Sequence, residues 1–135
     1  MGVGIYPPSG NDTGWVTGTS IGVTMATGWS YSSMNLRKLG PIAYASGVIN
    51  VDTTMAAAAA SGAHAGNLSD TLICTLPVGW RPAVDVMLSL SSNFGGWGGR
   101  LYSTGGLFIL DGAPQAVLDS TQQINFYATY PYTPA

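Results

Sequence analysis

The stretch ICTLPVGWRP, Ile73 to Pro82, decides how the rest of the chain is read. An apolar run closes on Leu76-Pro77, Gly79-Trp80 and Arg81-Pro82 follow at once, and a second apolar run begins. Pro77 has no N–H to offer a ladder, so it ends the strand that carries Cys74. Gly79 supplies a permissive turn position. Pro82 biases Arg81 towards an extended conformation, ready to start the next strand. Pro77, Gly79 and Pro82 therefore read as a structural corner between two strands.

Working outward from the corner, the same grammar repeats. In Ala83–Leu90, Val84, Val86, Leu88 and Leu90 fall on one face and Asp85, Met87 and Ser89 on the other. SSNFGGWGG reads as a glycine-rich loop with Trp97 in its tip. Arg100–Ser103 and Leu107–Leu110 flank Thr104-Gly105-Gly106 as a hairpin, and Asp111-Gly112-Ala113-Pro114 is a further turn. Gln122–Tyr130 is the closing strand, with Ile124, Phe126, Ala128 and Tyr130 on one face. Towards the N-terminus, Tyr31–Leu39 and Ile42–Val51 read as strands joined at Gly40-Pro41, with a bulge at Gly47. Trp15–Thr19 and Ile21–Ala26 read as the first short strands, broken at Gly18. Residues 1–14 form an N-terminal arm stiffened by Pro7-Pro8, and residues 15–135 form one domain.

Eight or so short strands at this spacing predict an all-β, single-domain fold, a β-sandwich or jelly-roll-like barrel. TTMAAAAASGAHAGNLSD, residues 53–70, is the exception: a long Ala-rich excursion with room for at most one short docked helix.

Composition narrows the chemistry. Charged residues are 7% of the 135, every acid is Asp, and Lys38 is the only lysine. A net charge of −2 without a basic cluster argues against nucleic acid as a partner. No apolar run approaches the ~20 residues of a membrane span, so no membrane insertion is expected. MGVGIYPPSG has neither a basic n-region nor an apolar h-region, so no secretory signal is expected. The single Cys74 excludes an intrachain disulfide and a cysteine-built metal cluster, and reads as a small buried hydrophobe.

A catalytic triad would need His64, the only histidine, which sits among Ala and Gly with no nucleophile turn nearby. Asp52, Asp70, Asp85, Asp111 and Asp119 lie at strand ends and turns, where Asp is expected in any case. No catalytic residue, metal site or cofactor is expected. Binding fits better: Trp80, Arg81 and Trp97, with Tyr127, Tyr130 and Tyr132 in the last segment, are the candidate contact residues, because aromatics with polar handles suit interfaces. Low charge and many small residues fit a surface covered in an assembly, and equally a surface that binds a neutral sugar.

The elements resemble a recurrent β-sandwich module at the tips of phage tail proteins and fibres. The matches are Trp15, Gly28-Trp29, Arg37-Lys38-Leu39-Gly40, Ser46-Gly47-Val48-Ile49, Ile73 through Pro82, Gly99–Leu110 and Ile124–Tyr132. The Leu-Pro-x-Gly-aromatic-Arg-Pro corner is the distinctive part, with Trp80 where such modules usually carry Tyr. The resemblance implies a non-enzymatic virion structural protein, a tail tip or fibre module for host attachment. It also implies a homotrimer among other virion proteins, assembled in the host cytoplasm. No collagen-like or coiled-coil stalk occurs in the sequence, which leaves a capsid decoration protein held by the N-terminal arm as the alternative. A carbohydrate-binding or carbohydrate-hydrolysing domain is the reading from a different class.

Overall fold

The computed structural model describes residues 12–93 and 95–135. It is almost entirely β, as expected, and barrel-like. In chain order the elements are β1 (Val16–Thr17), α1 (Gly18–Ile21), β2 (Thr24–Met25), β3 (Trp29–Leu39), β4 (Ile42–Val51), β5 (Met55–Ala56) and β6 (Asn67–Thr75). Then come β7 (Val86–Ser92), β8 (Gly95–Leu101), β9 (Gly106–Gly112), β10 (Val117–Leu118) and β11 (Gln123–Pro131). Nine strands form one antiparallel sheet in the order β1-β3-β4-β11-β7-β8-β9-β6-β2, and β5 pairs with β10 beside it.

That order forces the sheet to curl. β1 and β2 occupy opposite edges, yet one helical turn joins them. A flat sheet of nine strands would be about 38 Å across at ~4.8 Å per spacing. The link from Thr17 to Thr24 reaches at most about 25 Å even fully extended. The edges must therefore approach each other, and the sheet bends into a half-barrel with its apolar face inside.

Side-chain alternation matches that curvature. Along β4, Ala43, Ala45, Gly47, Ile49 and Val51 are buried and every residue between them is half-buried. β11 alternates just as regularly, burying Ile124, Phe126, Ala128 and Tyr130. Leu36, Ile73, Leu90, Leu107 and Ile109 complete the centre of the core. Cys74 is buried there too, and burial pushes its thiol pKa up to about 12. Leu118 carries the β5–β10 ribbon onto the same core.

Three local expectations are corrected. The strands expected at Trp15–Thr19 and Ile21–Ala26 give way to α1, a single turn between two-residue strands. Thr17 caps it, accepting from the Ser20 N–H at 3.2 Å, and Gly22 ends it in the left-handed region at φ 88°. The Ala-rich excursion, expected to hold at most one short helix, holds none. Its Ala58 is held by hydrogen bonds, donating to the Asn67 carbonyl and accepting from the Gly66 and Gln115 N–H groups. Gly47 is not a bulge: the register shift lies between Tyr31 and Ser33 on the partner strand. Gly47 instead makes room for the Phe126 ring, whose edge would lie 2.6 Å from a Cβ there.

The third correction concerns Trp97. SSNFGGWGG is mostly strand, not loop: β7 runs into it, β8 begins at Gly95, and Trp97 is buried with 5% exposure. Its ring lies against Gly112, its cross-strand partner on β9, where any Cβ would collide with it. Its indole N–H donates to Ser92 Oγ at 3.4 Å. Of the expected arm, residues 1–11 lie outside the described residues. Its root is held by Asp12, which accepts two hydrogen bonds from Arg37 at 3.0 and 2.7 Å.

Candidate functional site

Two places gather the residues singled out by sequence. The first is the corner. Gly79 has φ +93°, the left-handed value its turn position demands. Pro82 is fully buried and bridges Tyr132. Arg81 turns back, its Nε donating to the Leu76 carbonyl at 2.9 Å, while its own carbonyl accepts from Thr133. Tyr130 donates to the Trp80 carbonyl, and Tyr132 donates to the Gly40 carbonyl at 3.0 Å. Between the Trp80 and Tyr132 rings sits the Lys38 ammonium, 4.3 and 4.7 Å from the two centroids. Partial burial draws the Lys38 pKa below the usual lysine value. The aromatic faces offset part of that desolvation, since a cation over a ring is attracted by its quadrupole.

Trp80, Arg81, Tyr130 and Tyr132 thus converge, but as a joint. Trp80 and Tyr130 are buried, and the Tyr130 hydroxyl is engaged with the Trp80 carbonyl. Trp97 and Tyr127 lie apart from them. Trp97 belongs to the core. Tyr127 faces outward from β11 with 59% exposure.

The second place is a slot in the barrel wall around Tyr127. β11 and β7 pair at Asn125↔Ser91 and Phe126↔Leu90, and the two segments meet again at the Pro82↔Tyr132 bridge. From Leu90 back to Pro82 the chain uses two more residues than from Phe126 to Tyr132. The β7 side therefore bows away, and the wall opens into a cavity of about 490 Å3. Met87, Ser89, Ser91, Asn125, Tyr127 and Thr129 line its outer part. Val86 and Leu88 point the same way as the fully buried Leu90 yet remain half-buried, so the slot reaches the core side of the sheet.

Sequence reasoning placed Tyr127 in the candidate set but missed Lys38 at the corner and Ser89, Ser91, Asn125 and Thr129 at the slot. Their outward positions were implicit in the alternation of β7 and β11. That the two strands part between them was not.

The residues weighed for catalysis are occupied otherwise or stand open. His64 is exposed in the excursion. Asp85 accepts from the Ser103 N–H at 2.8 Å across to a neighbouring loop, and Asp119 accepts from the Thr121 N–H at 2.9 Å as a turn cap. Compared with protein-family models and with curated protein sequences, the chain matches none.

Proposed function

We propose that this protein is a non-enzymatic structural component of a phage virion, a barrel-like module of a tail tip or fibre that meets the host surface. The motif resemblance centred on Ile73–Pro82 supports this reading. The observation that carries it is an outward row of uncharged, small or aromatic side chains. It runs across the sheet from Asn35 through Ser46 to Tyr127 and resumes beyond the slot at Ser89 and Gly98, where the Asp111 carboxylate lies alongside. Such a row offers hydrogen bonds and a ring face rather than acid–base chemistry. Exposed Trp15, Val78 and Val84 provide apolar surface that further copies or other virion proteins would cover, consistent with a homotrimer. The test is to locate the chain in purified particles by mass spectrometry and labelling, with light scattering of the isolated chain. Tail-fraction recovery and a trimer are expected; a chain missing from particles overturns the reading.

A capsid decoration protein is the second reading, favoured by the paired hydrogen bonds that fix Asp12 to Arg37 at the root of the arm. Deleting residues 1–11 separates the two. Loss from capsids supports decoration, and retention in tails supports the first reading.

A further inference from the structure

The geometry points to the slot between β7 and β11 as a binding site for an uncharged saccharide, with the Tyr127 ring as its stacking platform. This rests on the attachment reading and names the ligand class of that face. The size of the slot is the first argument. About 490 Å3 lies within the ~300–1,000 Å3 of small-ligand sites. A stable protein interface instead takes a broad patch of about 800 Å2 per partner.

The lining is the second argument. It includes no Asp, Glu, Lys, Arg or His. A charged ligand entering it would give up hydration without meeting a counter-charge. A purely apolar ligand would strand the hydroxyls of Ser89, Ser91 and Thr129 and the carboxamide of Asn125. A sugar satisfies both demands. Its hydroxyl rim pairs with groups that both donate and accept, and its C–H face rests on an aromatic ring.

Access to that ring is the third argument. Tyr127 stands opposite Ser46 on β4, a neighbour too small to cover it. On the other side β7 bows away instead of continuing the ladder. The nearest cation along β8, Arg100, stands at the rim, its Nε 3.0 Å from the sulfur of the lining residue Met87 and its guanidinium over the Tyr102 ring. Among the described residues, the lining around the ring holds hydroxyl and carboxamide groups and no charged side chain.

The experiment is a 15N NMR titration of the full chain with lactose, maltotriose, mannobiose and chitobiose, each to about 50 mM so that weak binding registers. Sialyllactose serves as the anionic comparison. At least one neutral sugar should shift the amides of Ser89, Tyr127 and Thr129. Tyr127→Ala should weaken that sugar about ten-fold, and Tyr127→Phe by no more than about two-fold, because the ring face is kept. Ser89→Arg should abolish binding by filling the slot with a charge. Both positions are exposed, so thermal unfolding of these variants should match the parent. The inference is overturned if no neutral sugar moves these amides, if Tyr127→Ala binds as the parent does, or if sialyllactose binds there more tightly. If sugars fail to bind while Tyr127→Ala particles assemble and adsorb poorly, the slot meets a protein receptor: the saccharide is wrong and attachment stands. If sugars bind but the chain is missing from particles, attachment is wrong and the slot stands.

Discussion

The phenol of Tyr130 donates to the main-chain carbonyl of Trp80 at 2.7 Å inside the core. One hydrogen bond thus ties the last long strand to the corner at Trp80. Burial pushes the phenol's pKa upward, so it stays protonated and able to donate. Tyr130→Phe keeps the ring and strands the carbonyl. The expected loss is about 1–3 kcal/mol, the usual penalty for an orphaned buried acceptor. Urea unfolding measures it, and an unchanged midpoint would show that the carbonyl finds another partner.

Gly79 tests the corner from the backbone side. Its φ of +93° strains any L side chain, and a Cβ would also come 3.2 Å from that of Ala135. Gly79→Val should cost about 1–3 kcal/mol in thermal unfolding. Stability equal to the parent would mean that the corner relaxes to ordinary angles.

Trp97→Ala separates the strand reading from the loop reading. A loop-tip tryptophan could be removed without harm to the fold. A buried ring over Gly112 leaves a cavity, and the expected loss is about 3–5 kcal/mol. Equilibrium denaturation decides, and a change below about 1 kcal/mol would return Trp97 to the surface.

The arm root has its own pH signature. Hydrogen bonds from Arg37, then from the Gly14 N–H, hold the Asp12 carboxyl below its ordinary 3.8. A depressed folded value means that the pair's contribution is fully present above the unfolded pKa and is lost as pH falls through the folded one. NMR titration should find the Asp12 carboxyl midpoint below that of an ordinary aspartate, with release of the Arg37 side chain following the same transition. Release above pH 5 would contradict the pairing.

What could be read in the sequence follows from range. The alternation of Ile124, Phe126, Ala128 and Tyr130 is local, and so are the Gly40-Pro41 hairpin and the Pro77–Pro82 corner. All three emerge where expected. Trp97 was misread because glycine usually marks a break. Here several glycines are shaped by neighbours distant in sequence: Gly112 lies beneath the Trp97 ring, Gly98 beside Asp111, and Gly99 against Leu90 and the Phe108 carbonyl. The corner aromatics were visible, but the Lys38 between them comes from a different hairpin. The slot depends on two surplus residues between a pairing at Leu90 and another at Pro82, a mismatch that exists only once both strands have found their register.

The staple formed by β1, α1 and β2 also has a bearing on the order of events during synthesis. These are the first described elements to leave the ribosome, yet β1 can dock only on β3, and β2 only on β6. The strand that draws the two halves of the sheet together, β11, emerges last. The staple can dock on β3 and then on β6 when little more than half of the chain has emerged, so it holds the two sheet edges together before β11 arrives to join β4 to β7. Pairings across such long sequence separations are slow to form, so maturation of this barrel should be limited by the arrival of its C-terminal strand.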